Sequence, residues 1–108
     1  MRLAREGALV VANDRDQEPL NETLAQIEAA GGSAVGLAAS VTDADIGERL
    51  AQLALDRFGD VHIVVTAAGF LWDGMIHRMS DHQWQTIIDV HLGGTFRVVR
   101  DAFKVMRE

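Results

Sequence analysis

Cysteine and tyrosine are both absent from this chain of 108 residues, and proline occurs once. Without cysteine there is no disulfide frame and no thiolate zinc site. Without tyrosine there is no phenolic general acid. Aromatic residues make up only 6 %. No apolar run approaches the roughly 20 residues needed to cross a bilayer. Residues 1–7 are too short and too charged for a signal peptide. Basic residues are outnumbered, 10 Lys and Arg against 16 Asp and Glu, for a net charge of −6. That balance disfavours a nucleic-acid partner, which calls for a basic face. The expectation is therefore a cytoplasmic protein with neither a nucleic acid nor a membrane to bind.

Hydrophobic residues make up 48 % and charged residues 24 %, with both signs interspersed. That is the composition of one globular domain spanning residues 1–108, with a thin core. A short helical tail closes at Gly7. Ala8-Leu9-Val10-Val11-Ala12 is a continuous apolar run, suited to a strand covered on both faces and ended by residues 13–16. A helix follows, with Pro19 in its first turn and Leu20, Leu24 and Ile27 as its apolar stripe. Gly31 and Gly32 stop it. Residues 33–39 form a weaker second strand, softened by Gly36. Thr42 or Asp43 caps the next helix, whose stripe is Ile46, Leu50, Leu53 and Ala54 and which ends near Phe58 and Gly59. Residues 61–65 are the most hydrophobic run and are expected as a third strand.

After a looser stretch, Ser80 with Gln83 three residues on predicts a capping box. Trp84, Ile87, Ile88 and His91 then share one helical face. The helix continues through Gly93 and Gly94, a pair that costs on the order of 2 kcal/mol against alanine. Such a cost implies close packing of another backbone, or a kink. Val99, Phe103 and Met106 are expected mainly as a core stripe, with the remainder free for a subunit contact. The order βαβαβα, with fully apolar strands, implies an α/β fold: a parallel sheet with right-handed crossovers.

In such a sheet ligands lie outside the carboxyl ends of the strands. Residues 13–16, 40–42 and 67–70 meet there. Asp14 has two readings. A carboxylate just past the second strand of a dinucleotide fold accepts hydrogen bonds from ribose hydroxyls and favours NAD over NADP. Alternatively Asn13, Asp14 and Asp16 are turn and cap residues. Arg15 cuts the other way, because it could pair with a 2′-phosphate. Ala67, Ala68 and Gly69 would let a ligand approach the backbone, or would simply let strand and helix pack. The glycine loop that should precede Asp14 by about 20 residues is not in the chain. The histidines match no metal-ligand spacing, so no metal is expected.

These residues together resemble the central part of a short-chain dehydrogenase/reductase, close to the 3-oxoacyl-(acyl carrier protein) reductase branch. Residues 3–11 are similar to that family's first helix end and second strand. Ser40-Val41-Thr42-Asp43 resembles its Asp-Val-Thr-Asp adenine-contact turn, with Ser40 replacing an aspartate. Thr66-Ala67-Ala68-Gly69 resembles Asn-Asn-Ala-Gly, with both asparagines lost. Val90-His91-Leu92-Gly93-Gly94-Thr95-Phe96 resembles Val-Asn-Leu-x-Gly-Thr-Phe, with His91 at the catalytic asparagine. Four motifs in order at matching spacing make the resemblance specific.

The resemblance implies a partial Rossmann fold, a doubly wound parallel sheet, and binding of NAD or NADP, with NAD favoured by Asp14. Asp14, Arg15, Ser40, Val41, Ala67, Ala68 and Gly69 would contact the cofactor, and His91 would support a proton relay. The implied activity is an NAD(P)-dependent oxidoreductase acting on a small ketone or secondary alcohol. The implied assembly is a homo-oligomer through the helix at 80–108. The family's Tyr-x-x-x-Lys pair and its glycine loop are missing, so the sequence is expected to be a fragment, inactive alone. The alternative is a non-catalytic truncated α/β module or gene remnant.

Overall fold

The structure is a computed structural model that describes all 108 residues. A one-turn helix, α1 (Arg2–Arg5), leads through Gly7, whose φ of 94° only glycine adopts freely, into strand β1 (Leu9–Asp14). Helix α2 (Gln17–Ala29) carries the chain over to strand β2 (Ser33–Ala38). The two strands pair in parallel, from Leu9 opposite Ser33 to Asp14 opposite Ala38. Leu20 and Ile27 of α2 are buried. Gly36 leaves the space that Leu20 and Leu24 fill, so a side chain there would push α2 off the sheet.

Helix α3 (Ile46–Phe58) starts later than the sequence suggests. Residues 40–43 first close a turn, with the Asp43 N–H donating to the Ser40 carbonyl, and Asp45 takes the cap position. Ile46, Ala51 and Ala54 are buried, and Gly59 ends the helix with a left-handed φ of 84°. The capping box at Ser80 is present in full and opens helix α4 (Asp81–Ile88). The chain then makes a π-helical turn, Asp89–Gly93, and resumes as α5 (Gly94–Met106), which packs on α3. The two glycines thus meet both conditions set by their cost. The helix departs from α geometry at Gly93, and a methyl on Gly94 would lie 2.7 Å from Val41 Cγ2.

Two expectations are corrected. Residues 61–65 join no ladder, and residues 60–74 make no backbone–backbone hydrogen bond. Ile63 and Val65 are each 67 % exposed. The order of a doubly wound sheet, 3-2-1-4-5-6, supplies the reason. The family resemblance gives β1 and β2 the second and third places and residues 61–65 the fourth. In that order the fourth place pairs with the first, and neither β1 nor β2 is its neighbour. The fold class stands as a partial, doubly wound parallel α/β sheet with two paired strands. The second correction concerns α5. Val99, Phe103 and Met106 are exposed, and the buried residues of this helix are Gly94, Asp101 and Ala102. The three residues do share one face of α5, but α3 packs on the face that carries Asp101 and Ala102, and an apolar stripe alone does not say which side of a helix the rest of the chain covers.

Candidate functional site

The carboxyl ends of β1 and β2 form a rim that carries Asp14, Arg15, Ser40 and Val41; Ala67, Ala68 and Gly69 follow a run that joins no ladder. β1 runs two residues further than its apolar core because Asn13 is held from the side. Its amide nitrogen donates to the Leu37 carbonyl at 2.9 Å and to the Ala39 carbonyl at 3.0 Å. This pins the start of the 40–42 turn to the end of β1. Asp14 comes next, half-buried, with its Oδ1 accepting the Asp16 N–H at 2.9 Å. That is the turn geometry of an aspartate stabilising its own loop. Oδ2 of Asp14 accepts no hydrogen bond from the chain and remains available to a ligand hydroxyl. Arg15 points into solvent, its only ionic neighbour being Asp16 at 3.7 Å.

Ser40 holds its turn by side-chain bonds. Its hydroxyl lies 2.7 Å from the Thr42 hydroxyl and accepts the Thr42 N–H at 3.1 Å. An aspartate could accept the same N–H, so serine keeps the turn while removing a charge. Val41 packs against Gly94, and its carbonyl accepts a hydrogen bond from Arg97 Nη1 at 3.0 Å.

Ala67 and Ala68 are exposed, and Gly69 faces the ring of His91. A methyl on Gly69 would come within 2.5 Å of His91 Cε1. Here the glycine makes room for a side chain of the same protein. His91 Nε2 lies 2.9 Å from the Phe70 carbonyl oxygen and 3.2 Å from the Phe70 nitrogen. One nitrogen cannot donate to the first and accept from the second in the same tautomer, so the two bonds are alternatives. Nδ1 makes no hydrogen bond within the chain, and the residue is exposed. The imidazole therefore has one nitrogen anchored and one free, which is what passing on a proton requires. The sequence pattern placed His91 on an apolar face; the structure places it exposed, against the backbone of Phe70.

The π turn is itself held by side chains. Thr95 Oγ1 donates to the His91 carbonyl at 2.8 Å. Arg97 Nη1 donates to the Asp89 carbonyl at 3.3 Å, and Nη2 pairs with Asp89 Oδ1 at 2.5 Å. Asn13, Asp89 and Arg97 as holding residues were missed by sequence reasoning. For Asp89 and Arg97 no linear signal existed. Residues eight apart on an unbroken α-helix stand about 12 Å apart along the axis and about 80° round it.

Among known proteins, the family model described as short chain dehydrogenase matches residues 1–108. This chain belongs to the short-chain dehydrogenase family. It is 41 % identical to a short-chain type dehydrogenase/reductase of Mycobacterium tuberculosis, over all of this chain and 41 % of that protein. It is 33 % identical to a 3-oxoacyl-[acyl-carrier-protein] reductase of Synechocystis, over 98 % of this chain and 43 % of that one. The crystal structure of a short chain dehydrogenase from Mycobacterium avium superposes with a TM-score of 0.92 at 34 % identity, covering 98 % of this chain and 40 % of that one. The chain thus spans about two fifths of the length of these relatives. Its family is one of oxidoreductases that use a nicotinamide cofactor; one relative is described as an NAD-dependent oxidoreductase.

Proposed function

We propose that residues 1–108 form the adenosine-binding and proton-relay part of an NAD(P)-dependent oxidoreductase acting on a ketone or secondary alcohol, with NAD preferred. The observation that carries this is the free Oδ2 of Asp14 at the carboxyl end of β1, beside a turn at 40–42 that the chain itself holds rigid. A carboxylate there takes the ribose hydroxyls and repels a 2′-phosphate. The residues present fit the adenosine half of the cofactor. Ser40 and Val41 would border the adenine, and Ala67, Ala68 and Gly69 offer bare backbone beyond it. Arg15 is the one group that would welcome a 2′-phosphate, and its exposure makes that a minor attraction. The bound nicotinamide supplies the hydride chemistry. His91, anchored at Phe70 and open at Nδ1, holds a water and hands on a proton. The 3-oxoacyl chemistry named for the Synechocystis relative is the substrate class we favour.

The chain by itself turns over no ketone, because it contains no phenol to donate a proton. The test is therefore binding. Titrating NAD into isotope-labelled chain should move the backbone signals of Asp14, Ser40 and Val41, with a dissociation constant weaker than about 1 mM, or roughly −4 kcal/mol. NADP should move them less, and Asp14→Asn should remove the preference. Signals that stay still in NAD, or a stronger response to NADP, would overturn the reading.

A further inference from the structure

We propose that Arg97 is a positioning residue, a strut that fixes the turn at residues 40–42 to the π turn that carries His91. The inference deepens the functional reading above and rests on it for the meaning of the two ends. The geometry is independent of any ligand. One guanidinium reaches three acceptors on two segments: the Val41 carbonyl at 3.0 Å, the Asp89 carbonyl at 3.3 Å and the Asp89 carboxylate at 2.5 Å. Val41 and Arg97 are 56 positions apart, so this contact belongs to the tertiary fold. The side chains of the ion pair are about one fifth and one third exposed, which leaves the pair only partly screened.

Each acceptor has a reason to need Arg97. The Asp89 carbonyl already takes the Gly94 N–H across the wider π turn, a geometry poorer than the α-helical one. A charged donor on the same oxygen, tied to the same residue's carboxylate, favours that turn over relaxation to a regular helix. Relaxation would rotate His91 away from Phe70. The Val41 carbonyl sits where the side chain of Val41 is already wedged against Gly94. Wedge and strut together leave the 40–42 turn no freedom to slide along α5. Lysine cannot replace the fork, because a single ammonium on a flexible stem cannot serve both segments with the same geometry. Adenine-side and proton-side groups are thereby set at one fixed separation, as a reaction needing its partners in register requires.

The experiment uses the whole 108-residue chain, without nucleotide, in solution NMR. It reads the His91 ring nitrogens, the Gly94 amide, and the Thr42 and Asp43 amides. In Asp89→Asn, the Thr42 and Asp43 signals should move together with His91, although residue 89 touches Val41 only through Arg97. In Arg97→Gln both groups should move further, and exchange of the Gly94 amide should quicken about tenfold. Arg97→Lys should restore the Val41 end and leave His91 displaced. Val99→Ala, on the same helix but facing solvent, should leave both groups in place. If Arg97→Gln does not fold, Asp89→Asn and Arg97→Lys decide the matter. The strut is refuted if Asp89→Asn leaves Thr42 and Asp43 unmoved, or if Val99→Ala moves both groups equally. A chain that shows this coupling but ignores NAD refutes the functional reading alone. One that binds NAD without the coupling refutes only the strut.

Discussion

Single atoms decide how the rim behaves. A Cβ on Gly69 would overlap the His91 ring in its present position, so any larger residue requires that ring to move. Gly69→Ala should break the His91–Phe70 bond and move the His91 ring signals, while costing about 1–2 kcal/mol for the strain. A melting temperature and a ring spectrum both unchanged would count against that contact. Asp101 is the other residue whose environment matters, and it lies away from the rim. It is buried on the α3-facing side of α5, with Arg100 and Lys104 each bonded to it at 3.0 Å. The hydrogen bond from Arg100 holds its carboxyl below the usual carboxylate range; burial opposes this and Lys104 assists. A lowered value in the folded state means that this carboxylate stabilises the fold above the ordinary value of about 3.9. The contribution is lost as the pH falls through the folded-state value. Thermal melts from about pH 6 down to pH 2 should therefore show an acid-driven loss that is shallower in Asp101→Asn.

Among the elements, the helix running from Ser80 to Met106 shows how local rules and tertiary packing divide the outcome. Its start is local. The Ser80 hydroxyl accepts the Gln83 N–H at 3.1 Å, and Gln83 returns the bond to the Ser80 N–H at 2.9 Å. Ser80→Ala should cost about 1 kcal/mol, read as a lower melting temperature. Its middle is tertiary. Alanine at position 94 would gain about 1 kcal/mol of helix propensity on an isolated helix. Here it would collide with Val41, so Gly94→Ala should destabilise the chain, and a rise in melting temperature would show that the collision is not felt. Gly47 plays the same part in α3, where a methyl would overlap the Arg97 carbonyl and the Asp101 carboxylate. α3 and α5 approach this closely because Gly47 has no side chain.

The whole molecule is less covered than a free-standing domain of its mass. Its surface is 7606 Å², where a folded monomer of 11.8 kDa exposes about 5,900 Å² by the usual scaling. Only 10 of 108 residues are buried, which makes the core thin and the fold easily loosened. The surplus apolar area lies mainly in three places: the run at 61–65 without ladder partners, the stretch at 70–76 where Leu71 and Ile76 stand almost fully exposed, and the outer face of α5. On that face Leu92, Phe96, Val99 and Phe103 line an open groove, with the Arg100 guanidinium 5.1 Å over the Phe96 ring. Contiguous exposed apolar side chains of this kind mark an interaction face. We expect the purified chain to self-associate with concentration through the α5 face, as a homo-oligomer does. Light scattering of the wild type and of Phe103→Glu checks this, the variant being expected to stay monomeric. Equal association by both would move the contact elsewhere, to the bare backbone of residues 61–65.

The amino-acid order by itself determined the parallel βα alternation, the turns that follow β1 and β2 at Asp14 and Ser40, the capping box at Ser80 and the family. Each of these is written in short-range chemistry: apolar runs, stop glycines, a serine three residues before a glutamine. Where strands and helices end was less legible, since β1 extends over Asn13 and Asp14 by pairing with Leu37 and Ala38, helped by the Asn13 side chain. Only the tertiary structure decided that residues 61–65 go unpaired, because a ladder needs a neighbour and local hydrophobicity cannot supply one. It likewise decided which face of α5 is buried, and that Arg97 meets both Val41 and Asp89. Partners such as Val41 and Arg97 stand 56 residues apart in sequence, and only the folded chain brings them within hydrogen-bond distance.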